Sequence, residues 1–236
     1  MTAVSTPRLV LLVGLALVAT CALAVGISEA FKHQRKSTTT FARQFERVVV
    51  DSDSGRVSLH GVEGDRVVVQ RDAQWLWRAP SVRMVSSGAT LHVTATCPRT
   101  GPANRCRADL DLGIPFDADV LVRNEDGDVT ADRLAGHLEL RTKSGDVRGR
   151  DMNPVSVRAD TAAGLIDLDF TTEPVSVIAR SNAGDVRVTV PRGAEYRVDT
   201  ATKAGDDRVS GVVRNDRSTR TIRASTDAGN VDVIGG

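Results

Sequence analysis

The sequence predicts an all-β chain: a single-stranded β-solenoid, parallel β-helix-like, of repeats about 20 residues long, preceded by one N-terminal transmembrane helix. Three observations predict it. A glycine recurs with like neighbours in Asp126-Gly127-Asp128-Val129, Ser144-Gly145-Asp146-Val147, Ala163-Gly164-Leu165-Ile166, Ala183-Gly184-Asp185-Val186, Ala204-Gly205-Asp206-Asp207 and Ala228-Gly229-Asn230-Val231, at intervals of 18, 19, 20, 21 and 24 residues. Apolar and polar residues alternate with period two on both sides of that glycine, the pattern of half-buried strands. And Leu9–Ile27 is 19 residues without a charge.

In chain order, residues 1–8 form a short tail and 9–27 the anchor, which as a helix spans roughly 28 Å, close to the hydrocarbon thickness of a bilayer. A cleaved signal peptide is the alternative, but the apolar run is long for one and Ala22-Leu23-Ala24 lies inside it. Val18-Ala19-Thr20-Cys21 leaves lipidation at Cys21 open as a third. Residues 28–44, with Ser37-Thr38-Thr39-Thr40, read as a juxtamembrane linker. The repeat domain follows over 45–236. Its 45–119 part is diverged, with short β-rich runs such as Val48-Val49-Val50 and Val67-Val68-Val69 and an early copy of the repeat in Asp53-Ser54-Gly55-Arg56-Val57. Its 120–236 part is regular.

Numbered from each glycine, positions −7 and −5 carry Val120 and Val122, Leu138 and Leu140, Val157 and Ala159, Val177 and Ala179, and Ile222 and Ala224. Positions +2 and +4 carry Val129 and Ala131, Ile166 and Leu168, Val186 and Val188, and Val231 and Val233. The fifth copy reads as slipped by two residues, with Asp207 at the apolar place and Val209 beyond it. Each unit is strand, glycine turn, strand and a looser connection. An antiparallel meander would also satisfy the alternation, but the constant register favours coils stacked one on the next. A core of Val, Ile, Leu, Ala and Thr fits thin coils, and aromatic residues are only 3% of the chain.

Net charge is +1, and no bulk field points to nucleic acid. Asp128, Asp146, Asp185 and Asp206 form a sequence ladder after the glycine. Stacked carboxylates can hold Ca²⁺, but the nine-residue calcium repeat is missing and Leu165 breaks the row, so turn capping is the better reading and no metal or cofactor is expected. The row at −3, Asn124, Thr142, Thr161, Ser181, Thr202 and Thr226, falls on the inward parity and reads as structural. His33, His60, His92 and His137 share no spacing with each other or with a carboxylate. No HExxH, GxSxG or phosphate-loop motif occurs, and no catalytic residues are assigned.

Two features stand outside the repeat. Trp75 and Trp77, the only tryptophans, would share one face of a strand; they read either as a plug over the open end of the stack or as a platform for a partner. Cys97 and Cys106 flank CPRTGPANRC and read as a disulfide in an oxidising compartment. Lys32, Arg35, Lys36 and Arg43 after the anchor would by charge keep the domain inside; the cysteine pair places it outside, and we expect an extracytoplasmic domain on a cell membrane.

The SGDV-type repeats, preceded by Leu112-Gly113-Ile114-Pro115, resemble the putative-adhesin family of bacterial envelope proteins, a domain of unknown function built from β-strand repeats. Thr142-Lys143-Ser144-Gly145-Asp146-Val147 and Ser181-Asn182-Ala183-Gly184-Asp185-Val186 carry the resemblance, which covers Phe45 to the end; the copies at Gly164 and Gly205 depart from the motif. It implies a surface or membrane-anchored protein without a defined catalytic site, in some members linked to envelope stress, and offers no functional residues to transfer. The expectation is a non-catalytic envelope protein that adheres, scaffolds or senses through an envelope protein or glycan. A carbohydrate-active enzyme on a β-helix scaffold and a cytoplasm-facing interaction module are the alternatives.

Overall fold

Backbone conformation at the repeat glycine sets the architecture. Gly55, Gly127, Gly145, Gly164, Gly184, Gly205 and Gly229 hold φ between +125° and +152°, where residues with a Cβ are strained. Each turns the chain out of a strand in one sheet and into a strand of a second sheet packed on it. The computed structural model describes residues 33–42, 45–98 and 105–236. The anchor at 9–27 and Cys21 lie outside these residues; among the described ones no helix is long and apolar enough to cross a membrane.

The N-terminal strands are β1 (His33–Phe41), β2 (Arg47–Ser52), β3 (Val57–Val62), β4 (Val67–Trp75), β5 (Ser81–Ser87), β6 (Thr90–Thr96) and β7 (Arg107–Pro115). The repeats supply β8 (Asp119–Asp126), β9 (Val129–Asp132), β10 (Leu138–Ser144), β11 (Val147–Met152), β12 (Ser156–Ala163), β13 (Ile166–Phe170), β14 (Ser176–Ala183) and β15 (Val186–Val190). The chain ends with β16 (Glu195–Ala204), β17 (Asp207–Ser210), β18 (Val213–Arg214), β19 (Thr221–Ala228) and β20 (Val231–Gly235). Two ten-stranded sheets result, in the orders β1-β4-β7-β3-β9-β11-β13-β15-β20-β17 and β18-β16-β19-β14-β12-β10-β8-β2-β6-β5.

Pairing between repeats is parallel, with glycine-numbered positions in register from coil to coil. That decides for stacked coils against the meander. The apolar −7, −5, +2 and +4 rows meet between the sheets in one core, with Leu140, Ile166 and Val188 fully buried. The early copy is a true coil: β2 and β3 flank Gly55 and pair with β8 and β9. Antiparallel pairing is confined to the N-terminal end, where β1 lies on β4, β4 on β7 and β5 on β6.

Three expectations change. The stretch 28–44 is not all linker: β1 within it pairs with β4 along its whole length. The coils do not stack in chain order: β19 sits between β14 and β16, and β20 between β15 and β17, so the sixth repeat slots in beneath the fifth. Nor does the fifth repeat slip. Asp207 pairs with Val231 and Val209 with Val233, in full register. Asp207 occupies a core position of a coil that has no further coil beyond it, where its carboxylate is exposed and accepts the Thr200 hydroxyl at 2.8 Å.

The non-sequential order has a physical reason. In chain order the fifth coil would lie between its neighbours and bury Asp207 among valines, an unpaired charge costing several kcal/mol or more. The outward row at +3 points the same way. In space it reads Arg148, Asp167, Arg187, Asp232, Arg208, alternating in sign at each step. Chain order would put Arg187 beside Arg208, and facing like charges are destabilising. The 24-residue interval before Gly229 supplies the chain that makes the step back.

Candidate interaction surface

Inside each glycine turn runs a column of hydrogen bonds that uses up the polar groups of the repeat. The glycine N–H donates to the carbonyl before the next coil's glycine: Gly127 to Ser144, Gly145 to Ala163, Gly164 to Ala183, Gly184 to Ala228 and Gly229 to Ala204, all at 2.7–2.9 Å. The −3 hydroxyls are buried, as their parity predicts, and donate to the glycine carbonyl of the neighbouring coil: Thr142 to Gly127, Thr161 to Gly145, Ser181 to Gly164 and Thr226 to Gly184, at 2.8–3.0 Å. Asn124 does the same with its amide, reaching both Gly55 and Gly127 oxygens at 2.9 Å.

The Asp ladder also belongs to the stack, although not as turn chemistry within a coil. Asp128 Oδ1 accepts the backbone N–H of Asp146, Asp146 that of Leu165, Asp185 that of Asn230, and Asn230 Oδ1 that of Asp206, at 2.7–3.1 Å. Each side chain caps the equivalent residue one coil along. Leu165 therefore breaks the row as an acceptor while still donating. Among the described residues no cluster of three metal-ligating side chains occurs.

On the outer faces, carboxylates interleave with guanidiniums in rows. Asp160 is held by Arg158 at 2.7 Å and by Arg141 at 3.4 Å, Asp51 by Arg123 at 3.4 Å, Asp119 by Arg47 at 3.3 Å and Asp199 by Arg223 at 3.5 Å. Stacking also joins residues that no sequence spacing reveals. His60 Nδ1 lies 3.1 Å from Asp111, and His137 Nδ1 lies 2.7 Å from the Ser156 hydroxyl.

One corner departs from this regularity. Cys97 and Cys106 form a disulfide with Cα atoms 5.7 Å apart, closing the turn between β6 and β7 at the place where other coils have a glycine. Pairing registers bring three crossings together here: His33 faces Trp75, Gln74 faces Arg107, and Ser81 faces Thr96 next to Cys97. Arg107 donates to the Asp109 carboxylate at 2.7 Å, and this bond holds its guanidinium above the usual arginine pKa.

The two tryptophans separate. Trp75 ends β4 on the parity of buried Val67, Val69 and Ala73; it is half-buried and stacks on His33 with ring centroids 5.7 Å apart. Trp77 lies past the strand, so the shared face expected for the pair does not form, and its side chain is 74% exposed. Arg78 beside it and Arg105 before the disulfide are exposed as well. Neither tryptophan is among the side chains packed on the core cluster.

The family model for Toastrack DUF4097 matches residues 37–234, and the chain belongs to that family. Its fold is similar to that of a putative cell adhesion protein from Clostridium sporogenes, with a TM-score of 0.53 at 10% identity over 86% of this chain and 100% of that one. A putative adhesin from Bacteroides fragilis aligns at 0.45 and 10% identity over 86% and 97% of the two chains. A putative lipid binding protein from Parabacteroides distasonis aligns at 0.41 and 8% over 84% and 96%. At such identities the likeness is one of fold. No curated protein matches the chain.

Proposed function

We propose that this Toastrack DUF4097 protein is a non-catalytic, membrane-anchored envelope protein that holds a rigid, adhesin-like β-stack outside the membrane for adhesion, scaffolding or sensing. The observation that carries the reading is how the outward polar groups are used. The carboxylates at Asp51, Asp119, Asp160 and Asp199 are each matched to an arginine, whereas a glycosidase needs two carboxyl groups free to act as acid and base or nucleophile on the scissile bond. The adhesin-like structural neighbour agrees with it. The Cys97–Cys106 disulfide supports an oxidising, extracytoplasmic location, and the uncharged Leu9–Ile27 segment supports the anchor.

Reporter fusions after Gly236 test the location. An alkaline phosphatase fusion is expected to be active and a cytoplasm-dependent reporter inactive; the reverse pattern would put the domain inside. Retention of one protein or glycan from envelope extract, abolished by changes at the exposed corner and not by changes in the ion-paired rows, is the expected result for partner binding. Hydrolysis of an envelope polysaccharide by the purified chain would overturn the non-catalytic reading.

A further inference from the structure

We propose that the Trp77 corner is a membrane-contact surface: Trp77, with Arg78 and Arg105, sits in the headgroup layer of the bilayer and seats the first coil against it. The inference rests on the anchor reading above. It begins from where the chain enters the domain. β1 starts at His33, and His33 is the residue paired with, and stacked on, Trp75. Trp77 follows two residues later and is the most exposed large apolar side chain among the described residues, at 74%. Entry point and exposed indole therefore share one corner of the stack.

Chain length then limits the distance. Only residues 28–32 separate Leu9–Ile27 from His33, and six fully extended steps reach at most about 20 Å. A headgroup layer is itself about 5–8 Å deep. A bilayer spanned by Leu9–Ile27 thus lies within reach of the corner.

The side-chain chemistry suits that layer. Indole rings partition to membrane interfaces, where the ring is partly apolar and its N–H stays wet. Guanidiniums beside it meet lipid phosphates, each worth about 1 kcal/mol near an anionic surface. Arg78 and Arg105 are exposed at this corner, and Arg35 continues the basic character along β1. The nearby carboxylates are already engaged: Asp72 with Lys36 at 3.3 Å and with the Gln34 amide at 2.8 Å, and Asp109 with Arg107. A protein or glycan partner for the same indole would have to reach it within that short distance of the lipid.

The two tryptophans make the test direct, because all indole emission comes from this corner. The full chain is reconstituted into phosphatidylcholine–phosphatidylglycerol vesicles, with and without lipids carrying a nitroxide at the headgroup. Wild type and Trp75→Phe, which leaves Trp77 as the sole reporter, are both measured, so a folding defect in the variant does not remove the readout. The expected result is about a twofold loss of emission with the nitroxide lipid, together with reduced quenching by aqueous iodide relative to the urea-unfolded chain. Emission unchanged by the nitroxide lipid, in a chain that stays with the vesicles after an alkaline wash, would overturn the contact while leaving the anchor standing. A chain that washes off would overturn both.

Discussion

Two turns occupy equivalent places in the stack and are closed by different means. At Gly184 the turn has a coil on each side: its N–H donates to Ala228, its carbonyl accepts the Thr226 hydroxyl, and Gly164 donates to Ala183 from below. At Cys97–Cys106 there is a coil on one side only. Ala108 donates to Ser54, and Asp53 accepts the Cys97 N–H at 3.0 Å, but beyond lie the antiparallel β4 and β5, whose connection holds no glycine. With neighbours on both sides, backbone hydrogen bonds close the Gly184 turn; at the N-terminal end, where one side is missing, the chain adds a covalent bond, which the one-sided Gly205 turn at the other end does without. The hydroxyl column shows the same boundary. Ser52 is the −3 residue of the coil next to the disulfide turn; the Ala108 carbonyl stands where the other coils have a glycine carbonyl, and the Ser52 hydroxyl is buried without a partner among the described residues.

Gly184→Ala breaks the regular turn most directly. The added Cβ would lie 2.1 Å from the Gly164 carbonyl oxygen, at a φ of +137°. Backbone strain of 1–3 kcal/mol adds to the displacement of a fixed carbonyl, so a loss of about 3 kcal/mol or more is expected in chemical denaturation. Gly193→Ala is the matched control: φ is +80°, yet nothing lies within 4 Å of the new Cβ. Its loss should stay near the conformational term, about 1 kcal/mol. Equal losses at the two sites would show that conformation, not stacking, fixes the repeat glycine.

Removing the disulfide with Cys97→Ser and Cys106→Ser tests the other turn. The bridge spans a sequence separation of 9, and chain entropy for a loop that short predicts a loss of about 2–3 kcal/mol. The location should be as telling as the size. Amide exchange is expected to rise in β5, β6 and the start of β7, with the coils around Gly145 to Gly184 keeping their protection. A uniform rise through the stack would mean that the N-terminal coil is no separate unit.

How much of this could be read beforehand follows from which interactions are periodic. The glycine, the inward Val and Ile, and the −3 hydroxyls recur at one spacing, so strands, parity and coil were legible from residues such as Gly145, Val147 and Thr142. The coil order is not legible, because it depends on comparing Asp207 and Arg208 with residues of a different repeat; its one sign, an aspartate at an apolar place, reads in the sequence alone as a slip. β1 is not legible because Ser37-Thr38-Thr39-Thr40 carries no apolar stripe, being an edge strand whose partner β4 supplies the buried side. His60–Asp111 and His137–Ser156 join neighbours in the stack that no motif spacing encodes. At the corner, the cysteine pairing was legible, while the separation of Trp75 from Trp77 turned on β4 ending at Trp75.

A smaller effect is expected inside the column. Thr161→Val removes the hydroxyl that donates to Gly145 at 3.0 Å and keeps the side chain's shape. A net hydrogen bond of this kind contributes about 1 kcal/mol, and the buried carbonyl loses a donor, so a loss of about 1–2 kcal/mol is expected. Ser52→Ala is the comparison across the boundary. Its hydroxyl has no partner to lose, and the substitution should be neutral or slightly stabilising in the same denaturation series. A loss at Ser52 as large as that at Thr161 would mean that the column continues into the disulfide turn.

Tyr196 gives the smallest change at neutral pH and a larger one in alkali. It is the only tyrosine, fully buried, and its hydroxyl has no hydrogen-bond partner among the described residues. Burial, helped by the nearby Glu173 carboxylate and opposed by Arg220, raises the phenol well above its usual value. Tyr196→Phe should therefore lie within about 0.5 kcal/mol of wild type at pH 7. A folded-state pKa above the unfolded one means that the native phenol stays neutral while the unfolded one ionises. Wild-type stability is thus unaffected below a pH of about 10 and falls as pH rises past it, a decline Tyr196→Phe lacks. In wild type, phenolate absorbance should appear together with loss of the β-sheet circular dichroism and not before it. A phenolate that forms while the sheets are intact would place Tyr196 in contact with solvent, and the fifth coil would then be open at that position.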